Sequence, residues 1–110
     1  MDNEKFYSFL GLCQRAGQVV SGEVAVNLQI QKRKIHLIIL AKDASDNTKK
    51  KYTYQSQKNK IPILIFGNKE LLGRAIGKEY RALIGIKDKN MAINLINIQR
   101  INNIGGETRV

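Results

Sequence analysis

The sequence of 110 residues predicts an α/β fold, a three-layer α/β/α sandwich with a mixed four-stranded sheet. Short apolar runs typical of buried strands alternate along the chain with amphipathic or polar stretches typical of helices. Helices between buried strands must cover both faces of the sheet, which gives three layers. Five glycines fall at or near junctions between these stretches: Gly17, Gly22, Gly67, Gly77 and Gly85. We expect one domain over residues 1–101 and a flexible C-terminal tail over 102–110.

The N-terminal region predicts a helix followed by a short strand. Apolar residues recur at helical spacing over residues 6–16, which predicts the first helix. Asp2 or Asn3 is expected to cap its start, and Gly17 to follow its end. Val19-Val20 is long enough only for an edge strand.

A second helix is predicted after this strand and continues to about Lys32. Ser21 is expected at its N-cap, and Glu23 is favoured in the first turn because the helix dipole attracts a carboxylate there. The side chains expected to be buried are Ile30 and either Ala25 or Val26.

Three further strands and three helices complete the alternation. Apolar runs over 35–41, 61–66 and 83–86 predict strands. The first is expected to be covered on both faces, and the second to be a buried strand as well. The predicted helices are a polar one from Ser45 or Asp46 to Lys58, a short one over 70–76, and a terminal one from Asp88 to near Arg100.

The charge of the chain restricts the classes of function. Lys and Arg number 19 against 9 Asp and Glu, a net charge of +10, which favours a polyanion such as RNA or DNA as partner. No apolar run approaches the roughly 20 residues of a membrane span, and the N-terminus lacks the apolar segment of a signal peptide. We therefore expect a cytoplasmic protein without a membrane partner.

Residue types that carry catalysis or bind metals are sparse. Cys13, the only cysteine, lies on the apolar face of the first helix and is predicted to be a small core residue. His36, the only histidine, begins a strand and is expected to be a partly buried or surface imidazole. Metal-ligand spacings and a phosphate-binding loop are absent. We expect no enzymatic activity, no cofactor and no metal.

The predicted strands carry aliphatic residues, so the sheet is not a platform on which bases stack. Nucleic acid is therefore expected to meet loops and helix ends. Three segments could converge in the alternating topology: Ser21-Gly22-Glu23, Lys42-Asp43-Ala44 and the segment over 77–81.

Four segments, in the correct order, carry a resemblance to a known family. They are GLCQRAGQVVSGE over 11–23, the strand and polar helix start over 37–51, Ile61-Pro62, and LGRAIGK over 72–78. Together they resemble the bacterial YlxQ-type members of the L7Ae-type ribosomal protein family, whose archaeal founder binds RNA kink-turns. The resemblance covers about residues 5–97.

The resemblance implies the same α/β/α fold, a non-enzymatic role, and structured RNA, kink-turn-like or ribosomal, as the partner. It implies RNA contacts from a helix start, the loop after the next strand and the loop before the last strand. The implied RNA-binding residues are Ser21, Gly22, Glu23, Val24, Lys42, Asp43, Lys78, Glu79, Tyr80 and Arg81.

Roles for these residues follow from the same resemblance. Gly22 and Glu23 would present backbone N–H groups and a polar edge, and Tyr80 would stack on an unpaired base. The cations expected to neutralise phosphates are Lys42, Lys78 and Arg81.

The sequence departs from the family at the helix start. Alignment backwards from Leu37 puts Gly22 on the family glycine and the family's Asn-Glu pair on Val24 and Ala25. A following family lysine falls on Leu28. Because aliphatic side chains cannot hydrogen-bond to a base edge, we expect weak readout of the G·A pairs of a kink-turn.

Structural alternatives stay open for three features. Gly22 could serve only the tight entry into the helix, Lys49-Lys50-Lys51 could be a solvated helix face, and Tyr80 could pack on its own loop. The alternative function is a protein-interaction adaptor of the same fold. Oligomeric state is not predicted.

Overall fold

The computed structural model of the protein describes residues 3–107, with side chains described to residue 101. Helices and strands alternate over this range, as the sequence predicts. In chain order they are α1 (Glu4–Arg15), β1 (Val19–Ser21), α2 (Glu23–Gln31), β2 (Leu37–Leu40), α3 (Asp46–Asn59), β3 (Ile63–Ile65), α4 (Lys69–Ala75), β4 (Leu83–Ile86) and α5 (Lys89–Glu107).

The four strands of this range form one mixed sheet in the order β1-β4-β2-β3. β2 and β3 are parallel, whereas β4 runs antiparallel to both β1 and β2. The carboxyl ends of β1, β2 and β3 therefore lie at one edge of the sheet, together with the start of β4. We call this the carboxyl edge, and the opposite one the amino edge.

Helices cover both faces of the sheet, which confirms the three-layer architecture. Side chains of β2 alternate between the faces: Leu37 and Ile39 pack with α1, α4 and α5, whereas Ile38 and Leu40 pack with α2 and α3. All four side chains are fully buried, so the continuous apolar run corresponds to a strand that helices cover on both faces.

Two helix starts have the predicted caps. The N–H of Thr48 donates to Ser45 Oγ at 3.1 Å at the start of α3, and the N–H of Met91 donates to Asp88 Oδ1 at 2.8 Å in α5. At α1 the N-cap residue is Asn3, but its side chain makes no capping bond. Asp2, the other predicted cap, lies outside the described residues.

The prediction that Ser21 caps α2 is wrong. Ser21 is the last residue of β1, paired with Ile84, and Gly22 is the N-cap with φ +86°. The sheet holds Ser21 in extended conformation, so the reversal into the helix falls on the next residue, in a region that favours glycine. This structural requirement by itself accounts for Gly22.

The prediction that β3 is a buried strand is also wrong. β3 is an outermost strand of the sheet and pairs with β2 alone. Ile63 and Leu64 are half-buried and Ile65 is 45% exposed. An apolar run indicates that a strand can be buried, but it does not indicate the order of strands in the sheet. The outermost position of β3 therefore could not be predicted from the sequence.

The terminal helix is longer than the sequence predicts. α5 continues to Glu107 rather than ending near Arg100, so the backbone over 102–107 is helical where a flexible tail was expected. Residues 108–110 lie outside the described residues. Within residues 3–107, no helix is long and apolar enough to cross a bilayer.

Cys13 lies on the core-facing side of α1 and is fully buried, as predicted. Burial raises the pKa of the thiol to about 11, and the Asp88 carboxylate acts in the same direction. The unfolded thiol therefore ionises first as pH rises. The contribution of the protonated thiol to stability is complete below its ordinary pKa of 9.0 and is lost as pH rises towards 11.

We expect the native thiol to resist iodoacetamide at about pH 8.5, because the reactive thiolate is suppressed. The same protein in denaturant should be alkylated completely, as counted by mass spectrometry. Alkylation of the native protein at the rate of a free cysteine would show that Cys13 is accessible and ionised.

Candidate nucleic-acid interface

The carboxyl edge brings together the three segments singled out in the sequence. Backbone hydrogen bonds position them: the N–H of Gly22 donates to Leu83 O at 3.0 Å, and the N–H of Ala41 donates to Ala82 O at 2.9 Å. The helix start, the loop after β2 and the loop before β4 are thus fixed relative to one another by the sheet itself.

A shallow groove runs along this edge between α2, α3 and the loop before β4. We call it the edge groove. Its lining residues are Ser21, Gly22, Glu23, Thr48, Tyr80, Arg81, Ala82 and Leu83.

Arg81 connects two of the segments. Its Nε donates to Ser21 Oγ at 3.0 Å, and its Nη1 donates to Tyr80 O at 2.7 Å. The half-buried guanidinium therefore orients the loop against β1 while retaining its charge beside the groove. Ser21, which was expected to cap a helix, instead holds this arginine.

Tyr80 lies where three depressions meet. It lines the edge groove, a second hollow formed with Asp43, Asn68 and Lys69, and a third formed with Lys78. The side chain is 63% exposed. Such exposure is what stacking on an unpaired base requires, and it does not fit the alternative in which Tyr80 packs on its own loop.

The loop over 77–81 rests directly on the backbone of α4. The N–H of Lys78 donates to Gly73 O at 2.7 Å, and the N–H of Arg81 donates to Lys69 O at 3.0 Å. A Cβ at Gly73 would lie 2.5 Å from Glu79 O. The absence of a side chain at Gly73 therefore allows the loop its position, with Lys78 and Glu79 exposed on it.

Asp43 has a structural contact that the sequence does not reveal. Its Oδ1 accepts from the N–H of Lys69 at 2.9 Å, and Asn68 Oδ1 accepts from the N–H of Leu71 at 2.8 Å. These two bonds satisfy donors at the start of α4. Asp43 thus ties the loop after β2 to α4, while the neighbouring Lys42 remains exposed.

Glu23 is paired with a lysine of the run over 49–51. Lys51 Nζ lies 2.9 Å from Glu23 Oε1, and both side chains are about half exposed, 44% and 45%. Thr48 and Lys51, from α3, therefore belong to the surroundings of the edge groove. Sequence reasoning did not assign them there, because only the packing of α3 beside α2 brings them close.

The first turn of α2 presents apolar side chains to solvent. Val24 is 86% exposed and Leu28, about one turn further on, is 47% exposed. Neither can donate or accept a hydrogen bond, and Ala25 between them is half-buried. The structure places Val24 in the first turn of α2, next to Glu23 of the edge groove, without polar groups of its own side chain.

Two cations at this edge have no ion-pair partner among the residues whose side chains the structure describes. Within residues 3–101 the ion pairs join Lys51 to Glu23 and Arg74 to Glu70. Lys42 and Lys78 are exposed and have no carboxylate partner in this part of the chain. The edge therefore combines an exposed tyrosine, an oriented guanidinium and two unpaired lysines, which are groups suited to phosphates and unpaired bases.

Comparison with known proteins identifies similar sequences along nearly the whole chain. Residues 4–96 match the model of the Ribosomal protein L7Ae/L30e/S12e/Gadd45 family. The RNA-binding protein YlxQ of Bacillus subtilis (strain 168) is 38% identical over 98 residues, which are 89% of this chain and 98% of that protein. The RNA-binding protein YlxQ of Enterococcus faecium is 32% identical over 91 residues, covering 83% and 87%.

Solved structures with the same fold include a protein with unknown function from Bacillus halodurans. It superposes with a TM-score of 0.82 at 41% identity, covering 84% of this chain and 94% of that chain. The Giardia lamblia 15.5kD RNA binding protein superposes with a TM-score of 0.72, covering 88% and 89%. Its identity is 18%, so that likeness concerns the fold alone.

Proposed function

Because this chain belongs to the Ribosomal protein L7Ae/L30e/S12e/Gadd45 family, we propose that it binds structured RNA, kink-turn-like or ribosomal, at the carboxyl edge of its sheet. The observation that carries the proposal is the convergence there of three loop segments around an exposed tyrosine. Two relatives over 30% identical are named RNA-binding proteins, which supports RNA as the partner.

In the proposed complex the residues of the carboxyl edge have different roles. Lys42, Lys78 and Arg81 neutralise phosphates, and Tyr80 stacks on an unpaired base. Gly22 and Glu23 contribute at the helix start, where the Lys51 contact holds the Glu23 carboxylate. Val24 contributes apolar surface only.

Recognition of a kink-turn by this chain would rest on shape and on the loop over 77–81. The positions aligned with the family's Asn-Glu pair carry Val24 and Ala25, which cannot read the G·A pairs by hydrogen bonds. A cytoplasmic location is part of the same proposal, since a structured cellular RNA is the partner.

We expect RNA binding to weaken steeply with salt. With about −0.7 per phosphate neutralised, four or five contacts give a slope of log affinity against log salt near −3. The measurement is a titration of a fluorescent kink-turn RNA at several KCl concentrations. The variant Lys42→Gln/Lys78→Gln should reduce the steepness by about 1.4, the value for two lost phosphate contacts.

Unchanged affinity between low and moderate salt would contradict the proposal. The exposed aliphatic pair Val24 and Leu28 favours a protein-interaction adaptor as the second candidate function. Salt-insensitive binding of a protein, lost in Val24→Ser/Leu28→Ser while RNA binding is absent, would favour that adaptor.

The proposed role is non-catalytic, and we expect no turnover of ATP or GTP. His36 is the chain's sole histidine, and no phosphate-binding loop pattern precedes a helix. The measurement is phosphate release by extensively purified protein. Hydrolysis that persists through purification and disappears with a point substitution in the edge groove would contradict this expectation.

A further inference from the structure

A second cationic cleft lies at the amino edge of the sheet, between the carboxyl ends of α2 and α3. Its floor is formed by the buried side chains of Ile30, Ile35 and Ile61. We call it the amino-edge cleft. The polar groups that line it are Arg33, His36, Lys58, Asn59 and Lys60.

The charge of this cleft has no acidic partner among residues 3–101. None of its lining residues is acidic, and neither ion pair of residues 3–101 involves its cations. Lys58 Nζ lies 5.9 Å from the centroid of the Tyr54 ring, a contact that leaves its charge unneutralised. Lys32 and Lys34 are exposed on either side of Arg33 and extend the positive surface.

Two of these cations occupy an unusual backbone conformation. Arg33 and Lys60 have φ of 59° and 58°, and they are the two non-glycine residues with positive φ within residues 3–107. Glycine is the usual residue where a helix ends in this conformation, because a Cβ is unfavourable there. The chain instead carries a cation at both positions, and both side chains line the same cleft.

A favourable interaction with the helix dipole does not by itself explain this placement. Cations near a helix carboxyl end interact well with its dipole, but ordinary positions in the last turn serve that purpose. α3 already has Lys58 there, so its dipole does not require Lys60; the last turn of α2 has no basic residue, so the dipole can account for Arg33 alone. Arg33 and Lys60 follow the carboxyl ends of α2 and α3, and both line the cleft.

We propose that the amino-edge cleft binds the phosphate backbone of a second RNA segment, distinct from the one at the carboxyl edge. His36 and Lys42 flank β2 and are six positions apart, which corresponds to about 20 Å at about 3.3 Å per residue. One molecule can therefore contact RNA at opposite ends of its sheet and hold two segments together.

The side chains of the cleft favour RNA over an acidic protein segment. Arg, Lys and Asn are the groups that contact phosphate and sugar in protein–nucleic acid complexes, and such contacts carry no sequence information. The cleft is therefore expected to bind the RNA backbone irrespective of sequence, and a regular RNA duplex is a suitable probe. Competition with an acidic peptide tests whether carboxylates bind there as well as phosphates do.

The test compares four variants, at three places on the molecule, that each remove two positive charges. Arg33→Gly/Lys60→Gly changes the cleft, Lys42→Gln/Lys78→Gln changes the carboxyl edge, and Lys5→Gln/Arg100→Gln removes charge from the exposed surface of α1 and α5. Glycine adopts positive φ freely, so the cleft variant is expected to melt at the same temperature as the wild type or higher. Arg33→Asn/Lys60→Asn provides a second cleft variant, since asparagine tolerates this conformation.

The first measurement is the affinity for a 20-base-pair RNA duplex (roughly the span that one double-stranded RNA module covers) over a range of KCl concentrations. We expect both cleft variants to lose about tenfold or more in affinity at low salt and about 1.4–1.8 in slope. The α1/α5 variant should change far less. Equal losses in the cleft and α1/α5 variants would show that only net charge matters and would overturn the proposal.

The second measurement is bridging, in which the protein on an immobilised kink-turn RNA captures the labelled duplex. Capture should be lost in the cleft variants while binding to the kink-turn persists. If the wild type binds the duplex but not the kink-turn, the proposed function at the carboxyl edge is contradicted, whereas the proposal for the amino-edge cleft still stands. Displacement of the duplex by polyglutamate as efficiently as by unlabelled duplex would overturn the assignment to RNA.

Discussion

Replacing Gly73 by alanine is expected to destabilise the protein by about 1–3 kcal/mol, the usual cost of overpacking, and to weaken RNA binding at the carboxyl edge. In an ordinary helix the same change stabilises by up to about 1 kcal/mol. Here the new Cβ would lie 2.5 Å from Glu79 O and 2.7 Å from Glu79 C. Backbone cannot rotate away as a side chain can, so the loop that carries Tyr80 must move.

Gly85→Ala is a matched control for this prediction. Its Cβ would lie 2.8 Å from Ile35 Cδ1, the end of a flexible side chain, and 3.3 Å from Val20 Cγ2. That substitution disturbs the core between β4 and α2 without displacing the loop over 77–81. Urea unfolding gives the stability of each variant, and RNA titration well below the melting temperature gives the affinity of the folded protein.

The two variants should separate fold from function. Gly85→Ala is expected to keep its affinity per folded molecule, whereas Gly73→Ala loses it. If Gly73→Ala retains full stability and wild-type affinity, the contact between α4 and the loop does not position the RNA-binding groups.

The double substitution Val24→Asn/Ala25→Glu is expected to raise affinity for a kink-turn RNA by about 1–3 kcal/mol, the value of a good bidentate base contact in DNA. Val24 follows Glu23 of the edge groove and is 86% exposed, so a polar side chain there loses no packing. A glutamate in the first turn of α2 is also favoured by the helix dipole. The change supplies hydrogen-bonding groups where the chain now has aliphatic ones.

The comparison uses one kink-turn and a copy in which the G·A pairs are disrupted. Leu12→Asn/Ile93→Glu makes the same kind of change at exposed apolar positions of α1 and α5, which are 45% and 44% exposed, and should leave affinity nearly unchanged. Strong discrimination by the wild type against the disrupted RNA, with no gain in affinity in the double variant, would contradict this prediction. It would mean that α2 of this chain contacts the RNA differently from the corresponding helix of the family.

Local features of this protein were readable from its sequence because their causes are local. The apolar run around Leu37–Leu40 reports a strand buried on both faces, and Ser45 and Asp88 precede helices whose free N–H groups they satisfy. The excess of positive charge likewise indicated a polyanion as partner, whereas the binding surface at the glycine-marked loops stays a prediction.

Only the tertiary structure decided how these parts combine. The bond between Arg81 and Ser21 joins residues 60 positions apart, and the pair of Lys51 and Glu23 joins residues 28 apart. Periodicity reports which side chains are buried but not the order of strands in a sheet, so the exposed edge position of β3 and the N-cap role of Gly22 were missed. The amino-edge cleft was missed for the same reason, because its cations come from two helix ends that only the packing of α2 beside α3 brings together.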